Sequence, residues 1–254
     1  MPLVGATIIP TAPLLVPGVS ARLPDGVAEV RAAVKAALER LERAEIAVLI
    51  AAGEGATGAT GAAGAARGQG STGEGGADEH AGASLAGFGY PGIAARVRVV
   101  GWLTETRRYD PLPPGLAVLA LLLGDHAPVA PINVNAHATA ERLATLGAAI
   151  AARPRERAIL LAAGDLSAGL HERSPRYRVE GAVAWDEMMV AAIEAQRPER
   201  LAALGPAEAR RVAALGWAPI VVAQAACMAA GLRLRTRHYS APRGVGYLIA
   251  ATGG

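Results

Sequence analysis

The fold class is decided by the stretch Val27-Ala-Glu-Val-Arg-Ala-Ala-Val-Lys-Ala-Ala-Leu-Glu-Arg-Leu-Glu-Arg-Ala-Glu-Ile-Ala-Val-Leu-Ile50. In its first part the apolar residues recur at intervals of three and four, with charges on the other face, which predicts an amphipathic helix. Ile46 to Ile50 is a short apolar run typical of a buried strand, and so is Leu3 to Ile9 before the helix. Together these segments predict a β-α-β unit whose two strands form a parallel pair.

Strand-like and helical patterns continue to alternate along the rest of the chain. We predict strands at 95–100, 129–134, 157–163, 232–239 and 245–251, and helices at 116–123, 139–152, 182–195, 198–204, 206–215 and 218–230. This alternation predicts one α/β domain over residues 1–254, with three layers: a central, mostly parallel or mixed sheet and helices on both of its faces. Functional residues are then expected in the loops that follow the carboxyl ends of the strands.

One segment interrupts this pattern. Of the 31 glycines in the chain, 13 lie between Ala51 and Tyr90, in a region without apolar periodicity. Such a region cannot bury a face, so we predict a flexible Gly/Ala-rich insertion at about residues 53–89. The segment lacks the Gly-Lys-Ser/Thr ending of a phosphate-binding loop, which disfavours nucleotide binding.

Composition and charge exclude several classes of partner. The net charge is +3 and the pI about 9.4, but the basic residues are dispersed among acidic ones without interleaved aromatics, so no nucleic-acid partner is expected. The uncharged run from Val212 to Leu232 is interrupted by Gly, Pro and Gln and otherwise rich in alanine, so we predict a buried helix and no membrane association. Met1-Pro2-Leu3 lacks the basic region of a signal peptide, so a cytoplasmic location is expected.

Four segments at the expected loops carry a family resemblance. They are Ile8-Ile-Pro-Thr-Ala-Pro-Leu-Leu-Val-Pro17, Ala162-Ala-Gly-Asp-Leu-Ser-Ala-Gly-Leu170, Leu215-Gly-Trp-Ala-Pro-Ile-Val-Val222 and Tyr239-Ser-Ala-Pro-Arg-Gly-Val-Gly-Tyr-Leu-Ile-Ala250. In this order and at these separations they resemble the class III extradiol ring-cleavage dioxygenases and the related Memo-like proteins. The resemblance covers the whole chain apart from the glycine-rich segment.

The resemblance implies a non-haem Fe(II) centre. In these relatives two histidines and a carboxylate hold the iron, and the catecholic substrate and O₂ take the open positions. A further histidine acts as acid and base near the substrate hydroxyl. A small aromatic ligand is the substrate class that follows.

This sequence departs from the family pattern at each of those four positions. Thr11 and Gly53 stand where the two histidine ligands are expected, Ser240 stands at the carboxylate, and Ala168 at the acid/base histidine. Neutral hydroxyls are poor ligands for Fe(II), and Gly and Ala offer no donor atom. We therefore expect iron to be absent or weakly bound.

Other residues in the same loops could rebuild a metal site. The candidates are Glu54, Asp165, His171 and His238, which would restore two histidines and a carboxylate. The competing interpretation leaves Glu54 solvated, Asp165 bonded to backbone amides of its own turn, and His171 on the surface. Strand alternation places His238 on the apolar face of its strand.

Three hypotheses follow from these residues. The preferred one is a degenerate, metal-poor member of the superfamily that acts as a binding or partner subunit, in a homo-oligomer or with a homologous catalytic subunit. The alternative is an active oxygenase with a rearranged ligand set. A third, a different enzyme class using Asp165 and Ser167 in the old pocket, has no positive support. The pocket candidates are Thr11, Asp165, Ser167, Ala168 and Ser240.

Overall fold

The computed structural model describes residues 3–53, 79–101, 109–153 and 156–253. The strands are β1 (Leu3–Ile9), β2 (Ile46–Gly53), β3 (Glu79–Leu85), β4 (Tyr90–Val99), β5 (Val129–Asn135), β6 (Ala158–Ala163), β7 (Arg235–Ser240) and β8 (Tyr247–Ala251). The helices are α1 (Val27–Glu39), α2 (Pro114–Leu123), α3 (Ala140–Ala151), α4 (Ala182–Glu194), α5 (Pro198–Leu204), α6 (Pro206–Arg211) and α7 (Trp217–Ala229).

The strands form one mixed sheet in the order β3-β4-β5-β2-β6-β1-β8-β7. Strands β4, β5, β2, β6 and β1 run parallel, while β3, at one end, and β8, near the other, run antiparallel to their neighbours. The predicted pairing of β1 with β2 is wrong in one respect, because β6 lies between them and pairs with both. The two strands are still parallel members of the same sheet.

Helices cover both faces of this sheet, because the side chains of its central strands alternate between two cores. On one face Ile8, Val48 and Leu160 pack against α3, α4, α5 and α7. On the opposite face Leu49 and Leu161 pack against α1 and α2. Neighbouring strand residues point to opposite faces, so a strand buried on both sides is apolar throughout. The three-layer α/β domain predicted from the sequence is confirmed.

Local sequence features set several of the helix ends. Thr139 caps α3, since its Oγ1 accepts a hydrogen bond from the backbone N–H of Arg142 at 3.4 Å. Within the uncharged run after Arg211, α7 has 13 residues and is almost entirely buried. Its Cys227 is fully buried, and burial raises the pKa of this thiol to about 12. No helix among the described residues is long and apolar enough to cross a membrane.

The predicted boundary of the glycine-rich insertion is wrong. Residues 79–85, assigned from the sequence to this insertion, form strand β3, which pairs antiparallel with β4. Local pattern does not reveal this strand, because its small residues, such as Ala81 and Ala83, are buried without forming a visible apolar run. Residues 54–78 of the predicted insertion lie outside the described residues.

Candidate functional site

The candidate site lies at the edge of the sheet where the parallel strands end. Thr11 follows β1, Gly53 ends β2, and Asp165 follows β6. Strand β8 runs in the opposite direction, so its first residue, Tyr247, lies at the same edge, as does Ser240 at the end of β7. The fold thus brings together the loops in which the sequence predicts the functional residues.

Asp165 and Thr11 form the centre of this edge. Oδ2 of Asp165 accepts a hydrogen bond from the backbone N–H of Thr11 at 2.9 Å, and a second, short one from the Thr11 hydroxyl. Burial raises the pKa of the Asp165 carboxyl, although both bonds from Thr11 act in the opposite direction. The sequence predicts that the partners of Asp165 lie in its own turn, whereas the structure shows that they come from the loop after β1.

The backbone of Asp165 is fixed as tightly as its side chain. Its carbonyl oxygen accepts a hydrogen bond from Gly216 N–H at 2.7 Å, and a Cβ on Gly216 would lie only 2.6 Å from that oxygen. A β-bridge joins Asp165 to Tyr247. Burial raises the pKa of Tyr247, the negative charge of Asp165 adds to this shift, and the positive charge of Arg243 opposes it. Asp165, Tyr247 and Arg243 therefore interact electrostatically.

Ser167 does not belong to this edge, although it stands only two residues after Asp165. Its side chain is fully buried, and its hydroxyl contacts the backbone oxygen of Ala182 at 3.1 Å. Asp186 on α4 accepts hydrogen bonds from the Ser167 backbone N–H at 3.0 Å and from the Ser167 hydroxyl. The prediction of Ser167 as a pocket residue is therefore wrong, because the hydroxyl is held in the interior.

Tyr239 completes this internal network. Its hydroxyl donates to Oδ2 of Asp186 at 2.7 Å. Burial raises the pKa of Asp186, with the bonds from Ser167 and Tyr239 opposing the shift; burial, followed by the charge of Asp186, raises the pKa of Tyr239. A Cβ on Gly246 would collide with Asp186 Oδ2, so the network leaves no space. It joins the loop after β6 to α4 and β7.

Asp186 and Tyr239 were not singled out from the sequence. A signal was present for Asp186, because it occupies a position in the buried stripe of α4. Ala182, Asp186, Met189 and Ile193 follow one another at intervals of four, three and four residues, and all are buried. A charged residue within such a stripe requires hydrogen-bond partners in the interior.

At the end of β2 the site contains an amide rather than an imidazole. A Cβ on Gly53 would lie about 3.0 Å from the side chain of Asn133, the half-buried residue of β5 that pairs with Ala51. Asn133 was not singled out from the sequence either. Glu54, the next residue after Gly53 and a candidate metal ligand, lies outside the described residues.

The remaining candidates lie apart from Asp165. His171 is exposed, and its Nδ1 accepts a hydrogen bond from Arg173 N–H at 3.1 Å. His238 is half-buried on the edge strand β7, where its Nε2 lies 2.8 Å from the Ser240 hydroxyl. Ala168 is half-buried and makes only backbone bonds, to Val212 and Arg176. The exposed position predicted for His171 is confirmed.

These residues do not fit an Fe(II) centre. Over the described ranges, no group of three His, Cys, Asp or Glu side chains lies close enough to hold a metal ion. Thr11, Gly53, Ala168 and Ser240 supply no imidazole or carboxylate, and Oδ2 of Asp165 already accepts two hydrogen bonds from Thr11. The donor set of two histidines and a carboxylate is therefore not assembled from these residues.

Comparison with known proteins supports the fold alone. No protein-family model matches the sequence, and no curated protein matches it. Among solved structures, the chain is similar to the uncharacterized protein JW3007 from Escherichia coli K12, at 14% identity and a TM-score of 0.53. The alignment covers 98% of this chain and 99% of that one, so the two share an architecture along their full length.

Proposed function

We propose that this protein is a binding or partner subunit with the architecture of the class III extradiol dioxygenases, and that it does not cleave rings at iron. The sequence resemblance supports the choice of superfamily. The observation that carries the proposal is the Thr11–Asp165 pair. Thr11 stands where relatives place a histidine ligand, and it is hydrogen-bonded to the carboxylate of Asp165.

The same edge has the chemistry to bind a small hydroxylated aromatic ligand. The carboxyl of Asp165 is a hydrogen-bond acceptor, and the half-buried Asn133 offers both a donor and an acceptor. Tyr247 contributes a phenol ring to the same edge. These groups can orient a phenolic ligand without a metal ion, which is what a binding protein requires.

The test separates binding from turnover. The purified protein is loaded anaerobically with Fe(II), and bound iron is measured together with O₂ uptake in the presence of catechol and substituted catechols. A class III extradiol dioxygenase taken through the same procedure serves as the positive control. We expect substoichiometric iron and no O₂ uptake, because the described residues do not assemble an iron-binding donor set.

Calorimetry with the same catechols then tests ligand binding without added iron. We expect binding in the wild-type protein and weaker binding in Asp165→Asn, with Asp125→Asn as the matched control. Asp125 is exposed in the loop before β5, at the opposite edge of the sheet. Stoichiometric iron with catechol turnover that depends on His171 and His238 would instead establish the oxygenase with rearranged ligands.

A further inference from the structure

A groove of about 730 Å³ lies beside the candidate site, between the loop after β6 and the turn that joins β7 to β8. Its lining consists of His171, Glu172, Arg173, Pro175, Pro242 and Arg243. The volume is within the range of small-molecule sites, roughly 300–1,000 Å³. The groove is open to solvent on one side, because three of its charged residues, Glu172, Arg173 and Arg243, are exposed.

The two segments that form the groove are packed directly against each other. Gly244 adopts a φ of +69°, and a Cβ there would collide with the hydroxyl of Ser174 and lie 2.9 Å from Cε1 of His171. The Ser174 hydroxyl accepts a hydrogen bond from His171 N–H at 2.9 Å, and Leu170 N–H donates to the carbonyl of Gly244 at 3.2 Å. The position of His171 relative to the turn is therefore fixed.

The groove carries positive charge that the described carboxylates do not neutralise. Neither Arg173 nor Arg243 forms an ion pair with a carboxylate in the described ranges, where Glu172 pairs with Arg178 at 3.8 Å. Nδ1 of His171 accepts the Arg173 N–H, so Nε2 carries the hydrogen of the neutral ring and is its donor. Two guanidinium groups and one imidazole N–H thus line a single groove.

We propose that this groove binds a small oxyanion, one that carries its charge on phosphate or carboxylate oxygens. A guanidinium presents a planar fork of N–H donors that matches two oxygens of such a group, and hydrogen bonds between ions are the strongest available here. Two arginines side by side favour a ligand with two negative charges. The opposing charge effect of Arg243 on Tyr247 places the groove next to Asp165.

Inorganic phosphate is the first probe. Titration calorimetry is run at constant low ionic strength, set with chloride, on the wild-type protein and on the double variant Arg173→Gln/Arg243→Gln. We expect the double variant to bind phosphate at least about tenfold more weakly, because it loses two charged hydrogen-bond donors. The matched control is Arg233→Gln, since Arg233 is exposed just before β7, at the opposite edge of the sheet. It should bind phosphate like the wild type.

A second arm distinguishes the two oxyanion types. Succinate replaces phosphate under the same conditions, and the imidazole proton signals of His171, assigned with His171→Gln, are followed by NMR in both titrations. Saturable shifts of these signals by either probe, reduced in the double variant, support the proposal and identify the preferred oxyanion. Equal phosphate and succinate affinities in the wild type and the double variant would overturn it.

The iron and catechol measurements do not decide this proposal, because no metal or aromatic ligand enters the phosphate titration. A protein that turned over catechols could still bind phosphate in the groove. A protein that bound neither iron nor catechol could do so as well. Failure of the proposed function and failure of the oxyanion site would therefore be observed separately.

Discussion

Asp165 and Asp186 are both enclosed carboxylates whose pKa values are raised by burial, yet they serve different parts of the molecule. Asp186 is fully buried and accepts hydrogen bonds from Ser167 and Tyr239 inside the core. Asp165 is half-buried at the sheet edge and accepts its bonds from Thr11. A raised pKa alone therefore does not identify a binding site. The surroundings of the carboxylate decide whether a ligand can reach it.

The largest effect is expected from Asp186→Ala. The variant leaves the Ser167 N–H and hydroxyl and the Tyr239 hydroxyl without their buried acceptor, which should lower the free energy of unfolding by about 3–5 kcal/mol. Urea denaturation at pH 7 measures the change. Glu187→Ala is the control, because Glu187 is the exposed neighbour on α4, and it should change stability by less than about 0.5 kcal/mol. Equal stability of the two variants would mean that the network does not support the fold.

The second test compares the pH dependence of Asp165→Asn with that of the wild type. The folded-state pKa of Asp165 lies above its ordinary value of 3.8, so between the two values the folded protein binds the extra proton. The contribution of this carboxyl to stability therefore falls as pH rises through that range and stays low above it. The stability difference should shift in favour of Asp165→Asn by about 1.4 kcal/mol for each unit of raised pKa.

Unfolding free energies measured at several pH values give this difference directly. Asp186 is present in both proteins, so its own contribution cancels. Asp125→Asn, an exposed site, provides the control and should show a difference that does not change over the same range. A difference between Asp165→Asn and the wild type that moves the other way with pH would show that the folded state favours the charged form of Asp165.

The smallest effect is expected from the two tyrosines. Tyr239→Phe removes the hydrogen bond to Asp186 and should lower the unfolding free energy by about 1 kcal/mol. Tyr247→Phe removes a hydroxyl beside Asp165 and should change stability by less than about 0.5 kcal/mol. Thermal and urea denaturation of both variants provide the measurement. If Tyr247→Phe were the more destabilising, the edge rather than the interior would hold the structural network.

Much of the fold follows from local sequence pattern, because a buried strand and an amphipathic helix each leave a periodic record. Strands β1, β2, β5 and β6 and helix α1 were predicted within a few residues of their observed bounds. Strand β3 was not, since small residues such as Ala81 fill a narrow space without a hydrophobic run. The order of the strands was also beyond local pattern, because the insertion of β6 between β1 and β2 depends on contacts between distant residues.

The candidate site shows the same division. The segment from Gly164 to Ser167 was recognised as a functional loop, but nothing local indicates that Asp165 meets Thr11 while Ser167 meets Asp186. Both partners lie far along the chain, or on another element, and the loop is not a regular strand whose alternation could be counted. Tyr239 was quoted only as part of a motif, because its partner is a carboxylate on α4.

By itself the sequence determined the α/β class and the absence of histidine at the four positions where the family resemblance requires metal ligands or a catalytic base. Those properties depend on residue identity and on periodicity along one segment. The tertiary structure alone decided which of two neighbouring polar residues faces the sheet edge, and which arginines share a groove with His171. Such relations arise from packing between segments distant in the chain, where burial and hydrogen bonding select one arrangement.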